Sequence, residues 1–122
     1  MSIKNVTEIL LKYKDHPEFL GTELIDVNQR GAVDDTPLHI AARMGEVEDV
    51  EILIANGADV NIVGDLGNTP LHQAAMNGKC NVIKVLLKSG ADLSLKNEFG
   101  QTPLKVAELG NHKDAARLLR KR

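Results

Sequence analysis

Residues 36–45 read TPLHIAARMG, and residues 69–78 read TPLHQAAMNG. A third copy opens with TPLK at residue 102, so both steps along the chain are 33 residues. When residues 28–60 are aligned with residues 61–93, 13 of the 33 positions are identical. Self-similarity at a fixed period of about 20–50 residues is typical of proteins built by stacking one small structural unit. The sequence therefore predicts a repeat protein.

Each unit contains signals for two short helices. The Thr at positions 36, 69 and 102 can cap a helix N-terminus, and the Pro that follows fits the first helical position. First helices are therefore predicted over residues 37–44, 70–77 and 103–110. A glycine ends the first helix in two copies, and an apolar stripe at helical spacing predicts a second one. That stripe consists of Val47, Val50, Leu53 and Ile54, and of Cys80, Ile83, Leu86 and Leu87.

The remainder of each unit, up to the next Thr, is rich in turn residues and predicts a hairpin-like finger. The motif T-P-L-H-x-A-A-x-x-G, present twice, and the GADVN element at residues 57–61 resemble the ankyrin repeat. The resemblance covers roughly residues 26–120. It implies an all-α ankyrin-repeat solenoid in which each repeat is a helix–turn–helix with a β-hairpin-like finger.

Three positions depart from the ankyrin pattern. Asp34 stands where the other two fingers have Gly67 and Gly100, which predicts altered backbone geometry in the first finger. In the third copy, Lys105 replaces the motif His and Glu108 replaces the second Ala.

The chain is predicted to be one domain with specialised ends. The N-terminal segment is interpreted as a degenerate capping repeat, in which Pro17 starts a short second helix and Tyr13 and Phe19 shelter the end. Because a solenoid needs capped ends, these features predict a complete small protein. The predicted units are residues 1–27 for the cap, 28–60 for repeat 1, 61–93 for repeat 2, and 94–122 for repeat 3 with the C-terminal cap.

The composition excludes several functions. The 122 residues carry a net charge of −2, so neither nucleic acid nor an anionic membrane surface is an expected partner. The basic segment 117–122 is short, lacks interleaved aromatic residues and is interpreted as a solvated cap. No apolar run approaches the ~20 residues needed to span a bilayer, and the N-terminus lacks the pattern of a signal peptide. With one cysteine and three aromatic residues, we expect a cytoplasmic protein with an aliphatic core.

Histidines and the single cysteine are the obvious candidates for metal binding or catalysis. His39 and His72 lie one repeat apart, and the ankyrin resemblance implies that each imidazole hydrogen-bonds loop backbone instead. Cys80 aligns with the core position Val47 and is expected to be a buried, unreactive thiol. The remaining histidines are interpreted as surface residues of the caps; they are His16 and His112.

Three carboxylates, those of Asp34, Asp35 and Asp65, lie on predicted turns and are interpreted as solvated side chains rather than acid–base catalysts. The sequence has no phosphate-binding loop, no G-x-S-x-G motif and no H-E-x-x-H motif. We therefore predict no enzyme activity, no cofactor and no metal site. Only rapid labelling of Cys80 in the folded protein would revive an enzymatic role.

Exposed positions that differ between copies are free for recognition. The ankyrin resemblance implies binding through the finger tips and the inner face of the first helices. Val33, Leu66 and Phe99 recur every 33 residues at the tips and form an apolar stripe with a charged rim, which is typical of a protein interface. The alternative is that the tips pack on one another. The predicted partner-binding residues are Val33, Asp35, Arg43, Met44, Asp65, Leu66, Asn68, Met76, Asn77, Glu98, Phe99, Gln101 and Leu109.

Two functions fit this surface. The first is non-catalytic binding of another protein by a small stand-alone adaptor or inhibitor, and a bacterial immunity protein or an enzyme inhibitor would fit this description. The second is a structural or assembly role through homo-oligomerisation of the same stripe. We expect a monomer in the absence of the partner, whose identity a general-purpose fold does not reveal.

Overall fold

The computed structural model describes residues 5–20 and 26–120 of the chain. Within those residues it is helical, with no β-strand. The α-helices are α1 (Val6–Tyr13), α2 (Pro37–Met44), α3 (Val47–Ala55), α4 (Pro70–Met76), α5 (Cys80–Lys88), α6 (Pro103–Leu109) and α7 (Lys113–Arg120), and 3-10 helices cover Pro17–Phe19 and Asp65–Gly67. Every helix in the described ranges is too short or too polar to cross a lipid bilayer.

The first helix of each repeat begins where the Thr-Pro signal predicts. The Thr36 hydroxyl accepts a hydrogen bond from the His39 amide. In the same way, the Thr69 hydroxyl accepts from the His72 amide and the Thr102 hydroxyl from the Lys105 amide. These bonds satisfy amides that the helix cannot pair internally. The prediction for α2 is confirmed, and α4 and α6 end one residue earlier than predicted.

The turns that end the first helices use left-handed backbone. Gly45 has φ 75° and Gly78 has φ 65°, which glycine adopts without steric cost. Asn111 takes the same conformation in the third repeat, with φ 59°. The turn signals of the sequence are therefore confirmed in all three copies.

The expected distortion of the first finger at Asp34 is wrong. Asp34 has φ 71°, against 76° for Gly67 and 73° for Gly100, so Asp34 adopts the same left-handed backbone as the glycines of the other two fingers. Aspartate is among the few residues that tolerate this conformation. The Arg30 guanidinium also donates to the backbone carbonyls of Asp34 and Val63, which fixes the turn against the next finger.

The helices stack in two rows. α2 packs on α4 and α4 on α6 to form the inner row, while α3, α5 and α7 form the outer row. The core between the rows is aliphatic, with Leu38, Leu53 and Leu86 fully buried. Two pairs of buried alanines let neighbouring inner helices approach closely; they are Ala41 and Ala42, and Ala74 and Ala75.

The described part of the N-terminal segment covers one end of the outer row. α1 packs mainly against α3, and Ile9, Tyr13 and Phe19 are buried. The Tyr13 hydroxyl donates to the buried Asp49 carboxylate at 2.8 Å, and the Lys12 ammonium lies 2.7 Å from the same oxygen. Residues 1–4 and 21–25 of the predicted cap, and residues 121–122 at the basic end, lie outside the described residues.

Candidate partner-binding surface

One backbone hydrogen bond closes each finger. The amide of Gly31 donates to the carbonyl of Asp35, and the amide of Gly64 donates to that of Asn68, both at 2.8 Å. The third finger repeats the bond between residues 97 and 101 at 2.9 Å. The residues between the bonded positions form the tips, namely 32–34, 65–67 and 98–100.

A large apolar side chain stands exposed on every tip. Val33 is 50% exposed, Leu66 47% and Phe99 65%. We call these three side chains the apolar finger row. About half or more of each is accessible, which argues against the alternative that the tips bury their apolar side chains against one another.

The inner helices add further apolar surface. Met44 at the end of α2, Met76 at the end of α4 and Leu109 at the end of α6 are all exposed. Methionine side chains are flexible and polarizable, so they adapt to different partners. These three residues are accessible, as the sequence predicted.

The motif histidines connect consecutive repeats. The His39 ring lies 3.0 Å through Nε2 from the Asn68 carbonyl, and His72 lies 2.8 Å from the Gln101 carbonyl. Nδ1 of each ring accepts the amide of the preceding Thr, so Nε2 carries the proton and donates it. Burial lowers the pKa of both imidazoles, which keeps them neutral, although Asp35 partly opposes this at His39. The predicted structural role is therefore confirmed.

The sequence of this chain matches two models of one protein family. The family described as ankyrin repeats (3 copies) matches residues 50–122, and the single ankyrin repeat matches residues 34–65. The chain belongs to the ankyrin repeat family. Ankyrin repeats generally mediate protein–protein interaction, and ankyrin repeat proteins are typically non-catalytic. No curated protein sequence matches this chain.

In this ankyrin repeat protein, two predicted binding residues are not accessible. Asp35 is 1% exposed and Asn68 5%. The Asp35 carboxylate accepts from the Arg43 guanidinium at 2.6 Å and from the Asp65 amide at 3.0 Å, and the Asn68 side chain accepts from that of Asn97 at 3.0 Å. The expectation that Asp35 is a solvated turn residue is wrong, because both side chains turn inward to link neighbouring elements.

The other predicted residues remain at the surface to different degrees. Arg43 is partly exposed, since its guanidinium is held between Asp35 and the Gln73 side chain on α4. Gln101 is half-buried. The exposed polar members of the set are Asp65, Asn77 and Glu98.

The sequence interpretation missed Glu18. Its carboxylate accepts the amides of Val33 and Asp35 at 2.9 and 3.0 Å and so caps the first finger from outside. In the third finger, the Asn97 side chain caps the amides of residues 99 and 101 at 3.0 Å. Gly31 occupies the position of Asn97 in the repeat, and a Cβ there would lie 2.2 Å from Glu18 Cγ. The sequence signal for this contact was the glycine at position 31, because it lacks the side chain with which Asn97 caps the third finger.

Two further assignments need correction. Cys80 is half-buried rather than buried, because it lies in the partly exposed first turn of α5. His112, which directly precedes α7, is half-buried rather than a surface residue, and its Nε2 lies 2.9 Å from the Met76 carbonyl at the end of α4. Within residues 5–20 and 26–120, no group of three or more His, Cys, Asp or Glu side chains is arranged to hold a metal ion.

Two depressions lie away from the apolar finger row. One, of 480 Å³, is on the outer row between α3 and α5 and is lined by Ile54, Val85 and Lys88. The other, of 490 Å³, is beside α7 and is lined by His112 and Arg117, among others. The apolar finger row is thus a surface and not part of either depression. A surface of this kind suits a macromolecular partner better than a small molecule, which prefers an enclosed pocket.

Proposed function

We propose that this ankyrin repeat protein binds another protein through the apolar finger row and the exposed ends of α2, α4 and α6. It performs no catalysis of its own. It acts as an adaptor or an inhibitor by covering a surface of its partner. The observation that carries the proposal is the apolar finger row, in which one large apolar side chain is exposed at the same position of three consecutive repeats.

Exposed apolar side chains are common singly, but a row of three is a different feature. Burying Val33, Leu66 and Phe99 would remove a large apolar area from water, which favours association. Met44 and Met76 extend that area towards the inner helices. An apolar centre with a polar rim is the usual anatomy of a protein interface.

The fingers also support the proposal because hydrogen bonds join each finger to the next. The Ala32 amide of the first finger donates to the Glu18 carbonyl of the N-terminal segment at 2.8 Å, and the Glu98 amide of the third finger donates to the Leu66 carbonyl of the second at 3.0 Å. The Asp65 amide reaches the Asp35 carboxylate. A surface held in one conformation before binding loses little conformational entropy when it binds.

The test replaces all three side chains of the row, as Val33→Ser, Leu66→Ser and Phe99→Ser. A partner is first captured by the immobilised wild-type chain from an extract of the source organism and identified by mass spectrometry. We expect near-normal helical content by circular dichroism and a severe loss of affinity for that partner. The matched control is Leu11→Ser with Leu20→Ser, which removes exposed apolar groups from the N-terminal segment. Loss of folding in the triple variant would instead assign the row to the scaffold.

A second candidate is assembly by self-association. An apolar row on one face can meet its own copy across a two-fold axis, since such an interface uses the same patch on both subunits. Sedimentation of the full chain at micromolar concentration separates the two functions. A monomeric protein at this concentration would exclude the assembly role and would agree with a surface that binds a different protein.

A further inference from the structure

Each finger tip places an exposed carboxylate next in sequence to an exposed apolar side chain. The pairs are Val33 with Asp34, Leu66 with Asp65, and Phe99 with Glu98. We call Asp34, Asp65 and Glu98 the finger carboxylates. None of them forms an ion pair with any residue in the described ranges.

The tips carry no compensating cation. Residues 32–34, 65–67 and 98–100 contain the three carboxylates and no Lys or Arg. Two exposed cations, Arg30 and Lys96, lie just outside the tips. The Arg30 guanidinium donates to the backbone carbonyls of Asp34 and Val63 and keeps its positive charge. The nearest inner-helix cation, Arg43, is paired with the buried Asp35. Within the tips themselves, every charged side chain beside the apolar finger row is therefore a carboxylate.

The outer row has a different charge pattern. Lys84, Lys88 and Arg117 are exposed there, and Arg120 pairs with Glu108 at 2.9 Å. Glu51 is exposed on the outer row as well, so that row mixes charges of both signs, whereas the charged side chains within the tips are all carboxylates. A local field of this kind acts mainly on the choice of partner and on the rate of association.

We infer that the apolar finger row receives a segment of a partner protein in which apolar side chains alternate with or flank Lys and Arg. This inference rests on the proposed function and adds the chemistry of the partner to it. An acidic segment would bring like charges together and leave the finger carboxylates unpaired, so its binding would be disfavoured. Nucleic acid and anionic membrane surfaces are repelled for the same reason.

The probe is a phage-displayed library of random peptides, selected on the immobilised full chain. Enriched peptides are synthesised with a fluorophore, and their dissociation constants are measured by anisotropy at low and high salt. Three variants are compared with the wild type. The first is the triple serine variant of the apolar finger row. The neutralised variant carries Asp34→Asn, Asp65→Asn and Glu98→Gln, and the control variant carries Glu8→Gln, Asp15→Asn and Glu51→Gln. The control removes the same number of exposed carboxylates from α1, the turn that follows it and α3.

Asp34→Asn suits this purpose because asparagine also tolerates the left-handed conformation found at that position. We expect the enriched peptides to combine apolar residues with Lys or Arg and to lose binding to the triple serine variant. The neutralised variant should bind them about tenfold more weakly, with a smaller salt dependence, because three exposed ion pairs together supply roughly that factor. The control variant should bind like the wild type.

The outcomes separate the two proposals. If the peptides need the apolar finger row but carry no net positive charge, or bind the neutralised variant equally well, the inference is overturned and the proposed function stands. Self-association that depends on the apolar finger row also overturns the inference, because the occupant is then a second copy of the chain. If no selected peptide depends on the row, both proposals fail.

Discussion

The carboxylate of Glu18 and the side-chain oxygen of Asn97 perform the same task in different fingers. Each accepts two amides that are two residues apart, at positions 33 and 35 for Glu18 and 99 and 101 for Asn97. Glu18 comes from the 3-10 helix of the N-terminal segment, whereas Asn97 belongs to the finger that it caps. The first finger therefore depends on the segment before it for its shape.

Replacing Glu18 by alanine should destabilise the protein by about 1–3 kcal/mol, because two amides lose their acceptor. Chemical denaturation followed by circular dichroism measures the change. Glu18→Gln keeps an acceptor oxygen and should recover most of the loss. The comparison substitution is Glu51→Ala on an exposed face of α3. Equal free energies of unfolding for Glu18→Ala and Glu51→Ala would contradict the capping role.

Leu66 is a non-glycine residue in left-handed backbone, with φ 57°. Such a conformation is costly for a residue with a Cβ, by roughly 1–2 kcal/mol. Leu66→Gly should therefore raise the free energy of unfolding, by up to about 1 kcal/mol after the entropy of glycine is subtracted. The same change should weaken partner binding, because it removes one member of the apolar finger row.

Val33→Gly is the matched control for Leu66→Gly. Val33 occupies the corresponding tip position but has no positive φ, so replacing it by glycine relieves no backbone strain and should lower the free energy of unfolding. Thermal unfolding of both variants gives the comparison. Destabilisation of both to the same extent would show that the Leu66 backbone carries no such cost.

Acidification should destabilise the protein between about pH 7 and pH 5.5. His39 and His72 have lowered pKa values in the fold, so the unfolded chain, with an ordinary pKa near 6.5, binds protons first. The stabilisation is fully present above that value and is lost as the pH falls. The limit is about 1.4 kcal/mol per pH unit for each histidine that stays neutral in the fold.

Urea denaturation at constant ionic strength across this range measures that slope. In parallel, the imidazole signals of His39 and His72 followed by NMR should begin to shift towards their protonated positions at a lower pH than those of an unperturbed histidine. Stability that is flat or rises on acidification would contradict the assignment of these rings as buried neutral donors.

Leu86→Ala should cost about 2–5 kcal/mol, because Leu86 is fully buried and its truncation leaves a cavity. Leu109→Ala removes the same atoms from a side chain that is exposed at the end of α6, and should change stability by less than about 0.5 kcal/mol. Denaturation midpoints of the two variants decide the point. A large cost at Leu109 would place that residue in the scaffold.

The sequence predicts the helices because their signals are local. A Thr followed by Pro determines where α2, α4 and α6 begin, and buried leucines at helical spacing determine which face of α3 and α5 turns inward. Because the pattern recurs every 33 residues, the structure predicted for one unit applies to the other units as well. The same period makes Val33, Leu66 and Phe99 equivalent positions, and the structure shows that all three are exposed.

Interactions between units are harder to predict. Asp35, Asn68 and Gln101 differ between copies, which suggested recognition, yet Asp35 and Asn68 are buried. Their variation reflects different neighbours: Asp35 meets Arg43, and Asn68 meets Asn97. Which side of a finger a side chain faces depends on stacking against the next repeat, and the spacing of residues along one chain does not contain that information.

The residues that determine the shape of a finger are not those that its tip presents. Glu18, Asp35 and Asn97 hold the tips through backbone amides, so the bonds they make do not depend on the identity of the side chains at 33, 66 and 99. We therefore expect mutation at these three positions to change the proposed binding surface more than it changes the fold. A lineage of this protein, or an engineer working with it, would acquire a new partner by altering three tip residues on an otherwise constant framework.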